Sequence, residues 1–129
     1  MCGIVGYAGM REAAPVVLEG LKRLEYRGYD SWGIACVAAS GNAGIIKKTG
    51  KIGEVSEGEV SALRGSVGLS QTRWATHGGV TDANAHPHAC CNGEIFVVHN
   101  GIIENYAELR DELTELRALL GEEEDAPPV

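Results

Sequence analysis

The sequence predicts a single α+β domain in which short apolar strands alternate with amphipathic helices. Its 129 residues suit one domain that buries roughly two-thirds of its unfolded surface. Hydrophobic residues make up 44% and charged residues 22%, with a mean hydropathy of −0.07, which is the composition of a globular chain. No apolar run is long enough for a membrane helix and no secretory signal is present, so we expect a cytoplasmic protein without a membrane partner.

The first half of the chain combines three predicted strands with one helix. The elements are a strand over residues 2–8, a helix over 12–27, and strands over 33–39 and 44–49. The helix is indicated by Val17, Leu21 and Leu24, which repeat at the spacing of one helical face. Turn-forming residues 40–42 (Ser-Gly-Asn) join the last two strands.

The second half is predicted to end in a helix that packs on the sheet. A short helix, a strand, a long polar loop, a strand and the terminal helix are predicted at residues 57–64, 66–72, 76–93, 94–100 and 105–121. Asn105 is a good helix cap, and Gly121 ends the helix. Its apolar face consists of Tyr106, Leu109, Leu113, Leu116 and Leu120. Residues 122–129 are expected to be an acidic, disordered tail that ends in prolines and a valine.

The net charge of −7 is concentrated at one end of the chain. Residues 104–125 contain nine acidic and two basic side chains, which accounts for the whole imbalance. The remaining residues are balanced and offer no basic stripe, so we expect no nucleic-acid partner.

The four cysteines do not suggest a disulfide framework, because an adjacent pair cannot staple distant segments and no secretory signal is present. A zinc site is the alternative for His86, His88, Cys90 and Cys91, which fall within six residues. Structural zinc sites usually draw paired ligands from two separated segments. A solvent-facing loop is therefore favoured, and we predict no metal.

Cys2 is the most informative position in the chain. A cysteine after the initiator Met is small enough for that Met to be removed, which would leave a thiol and a free α-amine on one residue. The amine has a pKa of about 7.7–8.0 and can accept the thiol proton near neutral pH. The alternative is a small buried residue at the start of a strand.

Two further motifs lie at predicted strand ends. Arg73, followed by Trp74, Thr76 and His77, could hold a carboxylate, although an arginine at such a position is often a surface ion pair. Asn100 and Gly101 could supply two hydrogen-bond donors to an oxyanion, although Asn-Gly is also a common turn.

These motifs together resemble the glutaminase domain of the glucosamine-6-phosphate synthases, also called glutamine–fructose-6-phosphate aminotransferases (isomerizing). The matching segments are MCGIVGYAG, RLEYRGYDSWGIA, QTRWATHGGVTDANAHPH and VVHNGIIENYAELRDEL, which span residues 1 to about 115. The opening CGIVG is shared with other class II glutamine amidotransferases. The other blocks are more particular to the amino-sugar enzyme.

The resemblance implies an N-terminal-nucleophile (Ntn) αββα sandwich that hydrolyses L-glutamine through a γ-glutamyl thioester, without a cofactor. By similarity, Cys2 would be the nucleophile, and Asn100 and Gly101 would hold the oxyanion. Arg73 would bind the substrate α-carboxylate. The other pocket residues implied by the family are Trp74, Thr76 and His77.

The resemblance also implies parts that this sequence lacks. The family's ammonium-binding aspartate, its remaining strands and its sugar-isomerase domains have no counterpart here, so we expect residues 1–121 to be about the first half of a glutaminase domain. The isomerase would be a missing partner domain or chain, and exposed apolar surface would favour a homo-oligomer. Two alternatives are a non-catalytic remnant that acts as an interaction module and an amidotransferase of the purine-pathway type.

Overall fold

The computed structural model describes residues 1–121, and the predicted tail over residues 122–129 lies outside them. In chain order the elements are β1 (Gly3–Ala8), α1 (Ala13–Arg23), β2 (Ser31–Val37), β3 (Ala43–Thr49), α2 (Glu57–Val60), β4 (Val67–Arg73), β5 (His88–Ala89), β6 (Phe96–Val97) and α3 (Tyr106–Leu120), with 3-10 turns at Glu25–Arg27 and Ile52–Glu54. Among these residues, no helix combines the length and apolar character needed to cross a bilayer.

The main sheet is antiparallel, with strand order β1-β4-β2-β3. Helix α1 packs across three of the four strands of this sheet, namely β1, β4 and β2. The buried core lies between this helix and the sheet and extends to the segment around α2. Its members are Ala13, Ala14, Val17, Leu18, Leu21, Trp32, Ile34, Cys36, Ile52, Val55, Val60 and Leu63.

The alternation of side chains along each strand gives the sheet a second face, opposite α1. Thr72 and Ser70 of β4 lie toward the helix, so Gln71 and Arg73 lie on the other face. Residues 81–88 cover part of that face: Lys47 Nζ donates to Ala83 O at 2.8 Å, and the Thr49 N–H donates to Asp82 Oδ1 at 2.6 Å. The side of the sheet that carries Gln71 and Arg73 therefore also meets the long polar loop.

The elements of the first half are found, but α1 ends at Arg23, with a 3-10 turn at Glu25–Arg27 in place of the end of the predicted helix, and β2 spans Ser31–Val37 in place of residues 33–39. In the second half β4 and α3 lie close to their predicted bounds, whereas the other two elements are shorter. The predicted strand over 94–100 is wrong in extent, because only Phe96–Val97 pairs, with His88–Ala89 inside the predicted loop. A paired stretch of two strands can be no longer than the shorter strand, and within residues 1–121 the partner strand His88–Ala89 has two residues. The helix predicted over 57–64 ends at Val60, after which the Leu63 N–H bonds to Val60 O in a tighter turn.

Helix α3 forms where it is predicted, but the expectation that its apolar face packs on the sheet is wrong. None of its residues is buried, and Leu113 is 59% exposed. Periodicity predicts which face is apolar, yet it does not say what covers that face. The Asn105 side chain makes no capping hydrogen bond, whereas Gly121 ends the helix in the left-handed conformation, with φ of 71°.

Candidate active site

The register of the sheet brings Cys2 to the end of β4. Gly3 pairs with Thr72, so the residue before Gly3 lies beside the residues that follow Thr72. The Trp74 N–H donates to Cys2 Sγ at 3.4 Å, and the thiol lies 3.7 Å from Trp74 O. Two residues 72 positions apart in the chain are therefore neighbours at one sheet edge.

One cavity of about 370 Å³ opens at this edge. All seven residues predicted for the site line it: Cys2, Arg73, Trp74, Thr76, His77, Asn100 and Gly101. Seven residues outside the predicted set complete the lining: Gln71, Gly78, Ala83, Asn84, His86, His88 and His99. The cavity lies on the sheet face opposite α1, where β4 meets the loop.

Asn100 contacts the cysteine residue directly. Its Nδ2 donates to the backbone oxygen of Cys2 at 3.2 Å, and that oxygen also accepts from Arg27 Nε at 3.4 Å. Gly101 follows with φ of 149°, and a Cβ at this position would stand 3.0 Å from the imidazole of His99. A side chain is therefore disfavoured at Gly101 both by conformation and by space.

Gln71 connects Asn100 to the sheet. The side chain is 1% exposed, and its Nε2 donates to Asn100 Oδ1 at 2.6 Å and to His99 O at 3.1 Å. The sequence predicts no role for Gln71, although it opens the matching block over residues 71–88, because a glutamine inside a strand has no distinctive chemistry of its own. The available signal was its period-2 relation to Arg73, which places both side chains on one face.

Arg73 is nearly buried, at 9% exposure, and it holds the loop that follows it. Nη1 donates to Gly79 O at 3.0 Å, and Nη2 donates to His77 O. A guanidinium carries five N–H groups, so these bonds leave donors for a ligand. Asn84 Nδ2 also donates to Gly79 O, at 3.1 Å, and adds a second anchor for this loop.

Trp74, Thr76 and His77 are exposed on the loop at the rim of the cavity. The Trp74 ring stands edge-to-face with Tyr29 at 5.0 Å, and the His77 ring stands similarly toward Tyr106 at 6.4 Å. The loop thus contacts the segment that follows the 3-10 turn Glu25–Arg27 on one side and the start of α3 on the other.

His86 and His88, for which the sequence offers only the zinc-site alternative, also line the cavity. The rings of His86 and His88 are 4.3 Å apart. Burial lowers the pKa of His86 to about 4, and the nearby cationic groups of His88, Arg73 and Lys47 act in the same direction. Burial also lowers the pKa of His88. His86 is therefore neutral near pH 7. No group of three or more His, Cys, Asp or Glu side chains in residues 1–121 has metal-binding geometry.

The cysteines other than Cys2 do not line the cavity. Burial raises the pKa of the Cys36 thiol to about 11, so Cys36 is not a nucleophile at neutral pH. The Ile95 N–H donates to Cys90 Sγ at 3.1 Å, and this backbone bond is the main reason that the pKa of Cys90 is lowered. Cys90 is thus a thiol of lowered pKa that does not line the cavity, and it can serve as an internal reference for Cys2.

The site combines a thiol, amide and backbone donors beside it, and a buried guanidinium in one concave space. Such an arrangement can attack a carbonyl carbon, hold the developing oxyanion and bind a remote carboxylate. A free α-amine on Cys2 would add a base.

The fold and sequence comparisons define the class of this domain. A B. subtilis glutamine phosphoribosylpyrophosphate amidotransferase, solved with ADP and GMP, superposes with a TM-score of 0.73 at 28% identity, covering 90% of this chain and 25% of that one. The structure described as the allosteric regulatory enzyme of purine biosynthesis gives 0.76 at 30% identity, with the same coverage. The domain has the Ntn fold of class II glutamine amidotransferases, here as part of the sandwich.

Sequence relatives narrow the class. The chain is 55% identical to the glutamine–fructose-6-phosphate aminotransferase (isomerizing) of Idiomarina loihiensis and 58% identical to that of Pyrococcus horikoshii, in each case over 114 residues and 88% of the chain. The match to the enzyme of Streptomyces coelicolor is 54% identical and covers the whole chain. No family model matches. The chain belongs with the glutaminase region of these aminotransferases and spans about a fifth of their length.

Proposed function

We propose that this chain carries the glutamine-hydrolysing site of an amino-sugar synthase. The observation that supports the proposal best is that Cys2 Sγ, Asn100 and Arg73 share one cavity in a domain with an amidotransferase fold. The chain is 55% and 58% identical in sequence to two aminotransferases, but 28% and 30% identical to the two purine-pathway structures. This difference favours the amino-sugar enzyme over the purine-type alternative.

Catalysis in this proposal begins with removal of Met1, which is exposed. The α-amine of Cys2 takes the thiol proton, and Sγ attacks the side-chain amide carbon of glutamine. The tetrahedral intermediate collapses to a thioester and releases ammonia, which carries the transferred proton. Water then adds to the thioester, again with the amine as base, and glutamate leaves with Cys2 restored.

Asn100 and Gly101 are the proposed oxyanion donors. The Asn100 amide is supported in this role by its bond to Cys2 O, which holds Nδ2 beside the nucleophilic residue. Its NH2 group has a second hydrogen for the substrate oxygen. A donor of this kind typically lowers the barrier by about 2.7–4 kcal/mol, because it is already oriented toward the charge that develops.

Arg73 is the proposed ligand of the glutamine α-carboxylate, with Trp74, Thr76 and His77 forming the rim. Support comes from the burial of its guanidinium and from the bonds to Gly79 O and His77 O, which fix its plane. A fixed guanidinium binds a carboxylate with little loss of side-chain entropy. The same bonds couple substrate binding to the position of the loop.

The wider role rests on the relatives. We propose that the ammonia passes to a sugar-isomerase domain or chain that converts fructose 6-phosphate to glucosamine 6-phosphate, in the cytoplasm and without a cofactor of the glutaminase. Self-association is also proposed. It is supported by the exposed apolar side chains of α3, such as Leu113 and Leu116, and size-exclusion chromatography with light scattering tests it.

Active-site labelling tests the proposal directly. The protein is expressed from its gene, and removal of Met1 is confirmed by intact mass. A diazo-ketone analogue of glutamine is then expected to modify Cys2 and to spare Cys36, Cys90 and Cys91, because only Cys2 lies in the cavity. Iodoacetamide is expected to modify Cys90 as well, since its thiol has a lowered pKa.

Matched substitutions complete the test. Cys2→Ala is expected to abolish glutamate release, whereas Cys90→Ala keeps it, because Cys90 does not line the cavity. Analogue labelling confined to Cys90 and Cys91 would contradict the assignment. A Met1-free protein that neither reacts with the analogue nor releases glutamate would support the alternative of a non-catalytic interaction module.

A further inference from the structure

Gln71 links a rigid strand to the side chain proposed to hold the oxyanion. It belongs to the central strand β4 and is 1% exposed, so its position is fixed by packing. Its single NH2 group makes two hydrogen bonds, to His99 O at 3.1 Å and to Asn100 Oδ1 at 2.6 Å.

The backbone oxygen of His99 decides the orientation of both amides. A peptide oxygen only accepts, so the Gln71 amide must turn its nitrogen toward His99. The second hydrogen of that nitrogen is then donated to Asn100, which accepts it with Oδ1. The Asn100 nitrogen is consequently left on the other side, where Nδ2 donates to Cys2 O at 3.2 Å.

The reverse orientation of Asn100 would be doubly unfavourable. Its NH2 group would face the NH2 group of Gln71, and its oxygen would face Cys2 O. Rotation of Gln71 cannot relieve this conflict, because it would turn Oε1 toward His99 O. In the present orientation Gln71 Oε1 is buried without a hydrogen-bond partner among the described residues, so the amide gives up one bond and keeps the other two.

We infer that Gln71 is a positioning residue that keeps the amide nitrogen of Asn100 turned toward Cys2, through a relay from His99 O. This inference rests on the proposed glutaminase activity and adds to it a residue that acts on the oxyanion only through Asn100. It follows that the oxyanion donor is oriented before glutamine binds, as electrostatic preorganisation requires.

Two substitutions of similar size separate positioning from packing. Gln71→Glu puts an acceptor where the donor was, so it repels His99 O and draws the Asn100 nitrogen away from Cys2. Gln71→Met removes the relay without reversing it. We expect kcat to fall about 100-fold in Gln71→Glu and about 10-fold in Gln71→Met, with KM within about threefold, because the lost contact acts mainly in the transition state.

A double-mutant cycle with Asn100→Ala supplies the decisive control. If Gln71 acts through Asn100, adding Gln71→Glu to Asn100→Ala changes kcat by less than about threefold. A full 100-fold loss on that background, or wild-type kcat in Gln71→Glu alone, would overturn the inference.

A measurement that needs no turnover separates this inference from the proposed activity. In the ¹⁵N-labelled chain, exchange of the Asn100 carboxamide hydrogens with water is expected to be about fivefold faster in Gln71→Met than in the wild type. Equal exchange rates would overturn the relay even if glutamate is released. Absence of glutamate release from the wild type, with faster exchange in Gln71→Met, would reject the proposed activity and keep the relay.

Discussion

Residues 1–73 and residues 74–121 bury their apolar side chains to very different extents. The first region places α1 on a four-stranded sheet, and Leu18 is 1% exposed there. The second region forms a two-stranded pair of two residues each and a 15-residue helix with no buried residue. Local periodicity is present in both regions, but only the first contains the partners that its apolar faces require.

The cavity combines groups from both regions. Gln71 and Arg73 come from the central strand of the well-packed region, whereas Asn100 and His77 come from the less packed one. The first region thus supplies fixed groups, and the second supplies groups whose positions depend on hydrogen bonds to the first. In this molecule, polar contacts such as Gln71–Asn100 and Arg73–His77 therefore attach the second region at the site.

We expect the largest change in the free energy of unfolding from a comparison of alanine substitutions at two leucines, one in each region. Leu18→Ala removes a buried side chain from the core under α1 and should lower the free energy of unfolding by about 2–5 kcal/mol. Leu113→Ala removes a side chain that is exposed in the single chain, so its effect should stay within about 0.5 kcal/mol at protein concentrations low enough to keep the chain monomeric. Urea unfolding followed by circular dichroism measures both. Equal losses would show that the α3 face is covered in solution, and the contrast between the regions would then be wrong.

The sequence predicted the first region well because its signals are local. Helical spacing of Val17, Leu21 and Leu24 and the turn at residues 40–42 suffice to define elements that then find partners nearby. The strand at Phe96–Val97 and the face of α3 could not be predicted in the same way, since their extent and burial depend on neighbours that periodicity does not report.

The seven predicted site residues all line one cavity, although their roles stay predictions. They could be named because they carry family motifs. Gln71 and His86 lie in the matching block over residues 71–88, but the block assigns them no role, because their importance comes from contacts across the fold: Gln71 reaches Asn100 from β4, and the backbone of His86 lies against Gly33 of β2. Pairing of Gly3 with Thr72, which brings Cys2 to Trp74, is likewise a tertiary event that no local pattern contains.

Acidification should weaken the attachment of the loop to the sheet. The pKa of His86 is about 4 in the folded protein, against an ordinary value of 6.5, so the unfolded chain binds a proton first as the pH falls. Stability from this group is therefore present above about pH 6.5 and is lost on the way down to about pH 4. By pH 5 the loss should reach about 1–2 kcal/mol, because solvent screens part of the effect at this half-buried ring.

Urea unfolding at pH 7 and pH 5 measures this loss. His86→Gln, which cannot titrate, should lose less stability over the interval than the wild type. Asn84→Ala is the matched control, because it removes a neighbouring loop contact and keeps both His86 and His88. A pH dependence that is the same in His86→Gln and in the wild type would exclude His86 as its source.

The smallest expected effect concerns the backbone contact between the two regions. Gly33 of β2 faces the loop, and a Cβ there would collide with the backbone oxygen of His86. Gly33→Ala should therefore push the loop off the sheet and cost about 1–2 kcal/mol, toward the low end for overpacking because a loop can move. Gly6→Ala is the control, since a Cβ at Gly6 would meet only Leu69, at 3.9 Å.

The same substitution should also change glutamine binding. The displaced loop carries the carbonyl groups of His77 and Gly79, which accept hydrogen bonds from Arg73. Gly33→Ala should therefore raise KM for glutamine more than it lowers kcat. A Gly33→Ala protein with wild-type stability and KM would mean that the loop is not seated on β2 in solution.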